Sequence, residues 1–209
     1  MSLLPPRIHP TAIVEGAVAI GDGTSIWDNV HIRAGAQIGS ECIIGEKTYI
    51  ASGVRIGSRV KLNAQVYVCA MVTLEDGVMV SAGTVFTNDR CPRAATPDLD
   101  QLRPSEPDES TRPTLVRCGA TIGANCTIGC NLTIGRFAMV GMGSVVTRTV
   151  PDFYLVLGNP ARPVGVVCRC GEPVYRFEGS IGDANGEAVC GACGRRYAIE
   201  LGAVRELAR

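Results

Sequence analysis

Histidine is nearly missing from this chain: two residues in 209. Both His9 and His31 fall early, so a catalytic zinc held by three imidazoles is excluded. Charge of one sign is missing too, since Lys+Arg and Asp+Glu both number 20 and the formal net charge is zero. A nucleic-acid surface would show as a basic surplus, and none is expected. No run of about 18 apolar residues occurs, and the opening MSLLPPRIHP has no apolar stretch behind a charged start. A cytoplasmic chain that neither spans a membrane nor is secreted is the expectation. The single Trp, Trp27, follows a core position and reads as packing or interface rather than chemistry.

What the chain does have is a period of six. Counting in sixes from Ile8 lands on Val14, Ile20, Ile26, Ile32 and so on to Val80 and Phe86, every stop apolar and most of them β-branched. The count resumes at Val116 and runs through Ile122, Ile128, Ile134 and Val140 to Val146. Gly often follows a stop (Gly21, Gly39, Gly57, Gly123, Gly141), and four places after it the side chain is small or β-branched (Thr24, Ala36, Cys42, Val54). Six matches neither a helix nor a lone amphipathic strand. It matches a chain that makes a short strand, turns a corner and repeats, with three hexads to a coil. The apolar residue points inward, the small one packs at the corner, and Gly or Asn is expected to take up the turn.

Two stretches break the frame. Continuing it past Phe86 would bury Pro92, Asp98, Pro104 and Ser110, so residues 87–115 form an inserted loop, its first part polar and stiffened by Pro92. From 167 to 209 the strings C-R-C-G and C-G-A-C-G hold Cys168, Cys170, Cys190 and Cys193. Paired thiols flanked by Gly are the knuckles of a zinc ribbon, and a structural Zn2+ held by four thiolates is expected there. The other cysteines, Cys42 and Cys126 among them, read as reduced small hydrophobes within coils. The expected organisation is all-β: a β-helix over 1–150 with the insertion at 87–115, a tail segment over 151–166, and a small zinc-ribbon-like domain over 167–209.

The pattern I-G-x-x-[TAVC]-x resembles the left-handed parallel β-helix of the hexapeptide-repeat acyltransferases, and the handedness is implied by that resemblance alone. The loop opening F-T-N-D-R-C-P-R-A and the tail string G-N-P-A-R narrow the likeness to the nucleotide-sugar 3-N-acetyltransferases. Members of that family act on UDP- or dTDP-linked 3-aminosugars. The resemblance covers residues 8–166 and implies acetyl-CoA as cosubstrate and a homotrimer with active sites between subunits. Asn88 matches the family's loop Asn that positions the sugar near its amine, and Asp89, Arg90 and Arg93 match the rest of the string as substrate contacts. Arg90 and Arg93 have the fork to hold a diphosphate or a carboxylate. Toward the coenzyme the likeness points to Gly141, Gly143, Arg136, Arg148, Asn159, Pro160 and Arg162, with backbone N–H groups near Gly141 or Gly143 as oxyanion donors.

His31 precedes Ile32, so it points outward and stacks in steps of 18 with Tyr49, Tyr67 and Val85. Its pKa range suits proton transfer. It lies three coils from Val85, about 14 Å at ~4.8 Å per strand, so it reaches the substrate of Asn88 only across a subunit boundary. A sugar amine, with a pKa nearer ~8 than lysine's ~10.4, needs little base. A hydroxyl acceptor, as in an O-acetyltransferase of serine or sugars, needs a real one. A non-enzymatic β-helix scaffold is the remaining alternative.

Overall fold

A computed structural model describes residues 4–178 and 181–207 of the chain. Two-residue strands such as Ser25–Ile26, His31–Ile32 and Gln37–Ile38 follow one another along the sides of each coil. Each pairs in parallel with the strand 18 residues on: Ser25 with Ile43, His31 with Tyr49, Gln37 with Arg55. Three of the four sheets among the described residues, here A, B and C, hold ten, seven and six strands. Sheet A carries the stops Ile26, Ile44 and Leu62, sheet B carries Ile32, Ile50 and Val68, and sheet C carries Ile38, Ile56 and Leu74. This is the expected parallel β-helix.

The stops form one continuous core, as do the small residues four places on: Thr24, Val30, Ala36, Cys42 and Thr48 are all buried. Where the small residue is polar it is satisfied. Thr24 Oγ1 donates to the Gly39 carbonyl at 2.8 Å and accepts the Cys42 N–H at 3.0 Å. A buried hydroxyl without partners would be destabilising by about 1–3 kcal/mol. At the amino-terminal end no coil covers the first, and Ile8 and Val14 stay exposed. There His9 Nδ1 braces Thr11 Oγ1 at 2.9 Å, which in turn accepts the Asn29 N–H.

The corners differ from the sequence-based expectation in one respect. Positive φ falls three residues after a stop, not one: at Ala17, Asn29, Glu41, Lys47, Arg59 and Phe137, and at Gly23, Gly35 and Gly53. The glycines directly after the stops are there for space. A Cβ at Gly39 would lie 2.6 Å from the carbonyl carbon of Gly57, one coil away.

The ladder crosses the insertion without losing register. Leu74 pairs with Val116, Val80 with Ile122 and Phe86 with Ile128, each 42 positions apart rather than 18, so 24 residues are inserted. The loop leaves sheet B after Phe86 and returns to sheet C at the strand Thr114–Val116. It is not featureless. Antiparallel bridges join Asp89 to Thr111 and Ala95 to Leu102, folding it into two limbs.

At the far end Val150 bridges to Ile134, and Tyr154–Gly158 continues sheet A in parallel beside Met139–Val140. The chain then reverses: Ala161–Val167 pairs antiparallel with Tyr154–Gly158 and also with Pro173–Arg176. One strand therefore serves both the solenoid and the first hairpin of the cysteine-bearing region. A second small sheet, Gly186–Val189, Arg196–Glu200 and Ala203–Glu206, completes that region. Tyr197 is fully buried against Phe153, which stacks on Phe137 of the last coils. Tyr154 Oη donates to the Gly202 carbonyl at 2.5 Å.

Candidate active site and metal centre

Asn88 sits where the loop begins, at the corner between sheets B and C. Two residues beyond the paired stops Val68, Phe86, Ile128 and Val146, the same corner carries Ala70, Asn88, Cys130 and Arg148 in a column. Asn88 Nδ2 donates to the Ala70 carbonyl at 3.4 Å, and the Asn88 carbonyl accepts the Arg112 N–H at 2.8 Å. The side-chain oxygen has no hydrogen-bond partner among the described residues. A small hollow of about 100 Å³ opens there, bounded by Asn88, Asp89, Arg93, Arg103 and Ser110. A larger one of about 550 Å³ follows toward the loop tip between Arg93, Thr96, Leu99 and Arg103. Asp89 Oδ1 accepts the Cys91 N–H at 2.8 Å, which shapes the turn. Arg93 borders both hollows; Arg90 is exposed and borders neither.

The residues expected at the coenzyme do not gather at one place within a chain. Gly141 and Gly143 lie at the A–B corner beside the tail turn, where Gly158 N–H donates to Ser144 Oγ at 3.1 Å and Asn159, Pro160 and Arg162 are exposed. Arg148 belongs to the B–C column with Asn88. Arg136 lies at the C–A corner, paired with Asp152 at 3.3 Å.

Near Gly141 and Gly143, where oxyanion donors are expected, the two glycine N–H groups are themselves engaged. Gly141 N–H is spent on the Val156 carbonyl at 2.9 Å and Gly143 N–H on Ala124 at 2.8 Å. Along the corners the second residue after each stop has the N–H that the ladder leaves over. Some are taken by side chains, as Ser58 N–H is by Asp76 Oδ1 and Ala34 N–H by Glu15 Oε2. Others have no partner among the described residues, those of Met142 and Cys130 as well as those of Glu46, Ala64, Ala82 and Ala124. Cys130 stands one coil from Asn88.

His31 points outward from sheet B, as expected, and is not free. Its Nε2 lies 2.8 Å from Glu15 Oε1, which also pairs with Arg33 Nε at 2.7 Å. Arg33 first and His31 second hold the Glu15 carboxyl down at about 2. Arg33 reaches on to Tyr49 Oη at 3.0 Å, His31 meets the Tyr49 ring edge-on, and Tyr49 stacks on Tyr67. Glu15 was missed in the sequence, although a step of 18 places it next to Arg33.

The four cysteine sulfurs lie within 4.8 Å of one another. Cys168 and Cys193 are 3.4 Å apart, Cys170 and Cys190 3.5 Å. Zinc–sulfur bonds of about 2.3 Å in a tetrahedron set sulfurs about 3.8 Å apart, so the donor set fits a closed structural zinc. The Arg195 backbone first, and the Cys168 thiol after it, draw the Cys193 thiol down to about 6. Each knuckle is closed by an amide of its Gly: Gly171 N–H to the Cys168 carbonyl and Gly194 N–H to that of Cys190. Tyr197 Oη, missed in the sequence, donates to Cys168 Sγ at 3.1 Å and accepts the Arg169 N–H.

The class defined by this architecture is that of the hexapeptide β-solenoids. Residues 17–52 match the family described as "Bacterial transferase hexapeptide (six repeats)", and residues 36–70 and 119–148 match "Hexapeptide repeat of succinyl-transferase". Among curated proteins, a dTDP-3-amino-3,6-dideoxy-alpha-D-galactopyranose 3-N-acetyltransferase of Aneurinibacillus thermoaerophilus is 42% identical over 99 residues. That match spans about half of each protein, 47% of this chain and 47% of the relative. Among solved structures, AntD, an N-acyltransferase from Bacillus cereus in complex with dTDP and 3-hydroxybutyryl-CoA, superposes with a TM-score of 0.53 at 22% identity. The superposition covers 79% of this chain and 81% of AntD and supports the shared fold.

Proposed function

We propose that the chain is an acetyl-CoA-dependent N-acetyltransferase for the 3-amino group of a nucleotide-linked aminosugar, working as a homotrimer. The observation that carries this reading is the hollow at the loop root, where Asn88 offers a free amide oxygen one coil from the unpaired N–H of Cys130. The 42% identity to a 3-N-acetyltransferase of a dTDP-linked aminosugar supports the acceptor class. Asn88 orients the amine by accepting its hydrogen bond, and Arg93 binds the diphosphate or an acidic sugar, with Asp89 shaping the turn and Arg90 on the outer rim.

Attack of the neutral amine on the thioester carbonyl forms the new C–N bond, and the negative charge gathers on the carbonyl oxygen. A leftover corner N–H, that of Cys130 or Met142, stabilises it. Collapse expels the CoA thiolate, and the ammonium proton leaves after attack. The amine's pKa near ~8 keeps much of it nucleophilic at neutral pH. Holding the two reactants together supplies about 7–11 kcal/mol of the barrier reduction. CoA lies along the coils with Gly141, Gly143, Asn159, Pro160 and Arg162 at one corner and Arg148 at the next, while Arg136 serves the nucleotide end. The four cysteines hold a structural Zn2+ that takes no part in the reaction.

The test is acetylation of dTDP-3-amino-3,6-dideoxy-α-D-galactose by acetyl-CoA, with Asn88→Ala compared to the parent. A fall in turnover of about 100-fold with the trimer intact is expected; an unchanged rate removes Asn88 from the site. In the same assay His31→Ala has a mild effect with an amine acceptor. Near-total loss on His31→Ala points instead to a hydroxyl acceptor that uses the His31–Glu15 pair as base.

A further inference from the structure

Two arginines wall both loop hollows, Arg93 and Arg103, and their surroundings differ sharply. Arg93 is exposed, and among the described residues its side chain bonds only the carbonyl of its neighbour Pro92. Arg103 is the more enclosed, with 29% of its side chain exposed, and it is used up by the loop itself. Its Nη1 donates to the Cys91 carbonyl on the first limb at 3.5 Å. Its Nη2 donates to Ser110 Oγ at 3.3 Å and lies 3.7 Å from the Asp108 carboxylate on the second limb. Its backbone N–H goes to the Ala94 carbonyl at 3.0 Å.

Asp108 is itself tied down. It accepts hydrogen bonds from the Ser110 hydroxyl and from the Ser110 N–H, which hold its carboxyl below the usual range. Immediately beyond Ser110 lie the two contacts that fix the loop root, the Asp89–Thr111 bridge and the bond from Arg112 N–H to the Asn88 carbonyl. The loop is 24 residues longer than a plain corner, mostly exposed and rich in proline. Its limbs are otherwise joined by backbone contacts at the root and near the tip, so the Arg103 guanidinium is the side-chain tie between them among the described residues.

We infer that Arg103 is a positioning residue for the aminosugar: it clamps the two limbs of the insertion so that Asn88 and Arg93 face one hollow, leaving Arg93 free for the ligand. The guanidinium is needed because one side chain must donate in three directions from a fixed plane; an ammonium offers a point charge on a flexible stem. This inference rests on the proposed acetyltransferase reading, and its test separates the two.

The experiment uses full-length Arg103→Ala and Arg103→Lys, with Asp108→Asn as a second variant acting on the same clamp. Two readouts are taken: amide hydrogen exchange at Thr111 and Arg112, and KM for dTDP-3-amino-3,6-dideoxy-α-D-galactose and for acetyl-CoA separately. Arg103→Ala is expected to raise amide exchange at both positions and to raise the aminosugar KM by about 10- to 100-fold, with the acetyl-CoA KM unchanged. Arg103→Lys and Asp108→Asn fall between. Unchanged exchange at Thr111 and Arg112 overturns the clamp, whatever the kinetics. Faster exchange with an unchanged aminosugar KM overturns its role in positioning. A parent protein that acetylates no aminosugar, yet shows the exchange change, sinks the acetyltransferase reading and leaves the clamp standing.

Discussion

Gly39 and Lys47 occupy neighbouring turns of the solenoid for opposite reasons. Lys47 takes φ of 56°, a conformation unfavourable to a side chain, yet its side chain is exposed and has room. Gly39 needs no unusual φ, but the next coil's backbone lies where its Cβ would go. The two effects predict opposite outcomes. Gly39→Ala forces two coils apart and is expected to destabilise by about 1–3 kcal/mol, as overpacking does. Lys47→Gly relieves the left-handed strain while adding unfolded-state entropy, and is expected to stay within about 1 kcal/mol of the parent. Urea denaturation of both variants checks this, and equal effects would contradict the division of labour. The same contrast explains what the sequence concealed. A glycine repeated after the stops announces that something special happens there, and steric exclusion leaves the same letter as φ freedom. The true left-handed position is filled by Asn29, Glu41, Lys47 and Phe137 as well as Gly, so no single residue type marks it.

At the scale of elements, the coils were legible because their contacts run between residues 18 apart, and one frame of apolar stops fixes them all. The insertion was legible as an interruption, but its two limbs were not. They are held by isolated backbone bridges and by the contacts of Arg103, Asp108 and Ser110, an ion pair and hydroxyl contacts, none of which leaves a period. Of the candidate site, Asn88 and the cysteines stood out by motif, while the leftover Cys130 N–H came from the ladder's own bond pattern. The cysteine region follows the same rule. Spacing announced four ligands, but nothing in it announced that Tyr197 would bond Cys168 Sγ and pack on Phe153. That packing makes the metal centre part of the solenoid's end. The small hydrophobic cluster of Phe153, Val166, Tyr197 and Ile199 includes Cys168 and Cys190 themselves. Metal analysis is expected to find about one zinc per chain. Chelation, or Cys190→Ser, is expected to expose the amides of Gly171 and Gly194 to exchange and to reach Phe153 and Tyr154, leaving the coils before Phe86 protected. A metal-free protein with those knuckle amides still protected would remove the zinc.

At the scale of the molecule, the proposed site residues fall on three corners. Asn88 and Arg148 share the B–C corner, Gly141, Gly143 and the tail turn the A–B corner, and Arg136 the C–A corner. The first two flank the outer face of sheet B, where Ile13, Tyr67 and Val85 are 58%, 44% and 40% exposed around the stacked Tyr49. A row of large apolar side chains along a flat parallel sheet is a surface that a second copy covers well. Within one chain His31 lies about 14 Å along the sheet from Val85, so under the proposed trimer any part it takes at the loop would come from a neighbouring copy. On the proposed reading, packing of this face between three chains is what would join the acceptor corner to the coenzyme corner. Tyr67→Arg puts a charge at the middle of the face and outside the proposed ligand contacts. Sedimentation is expected to show the parent as a trimer and Tyr67→Arg as a monomer with an unchanged β-rich circular dichroism spectrum. The monomer is expected to lose acetylation altogether, because each of its sites lacks the neighbour's corner. A parent that sediments as a monomer and still acetylates would show that one chain's corners suffice, and the shared site would have to be abandoned.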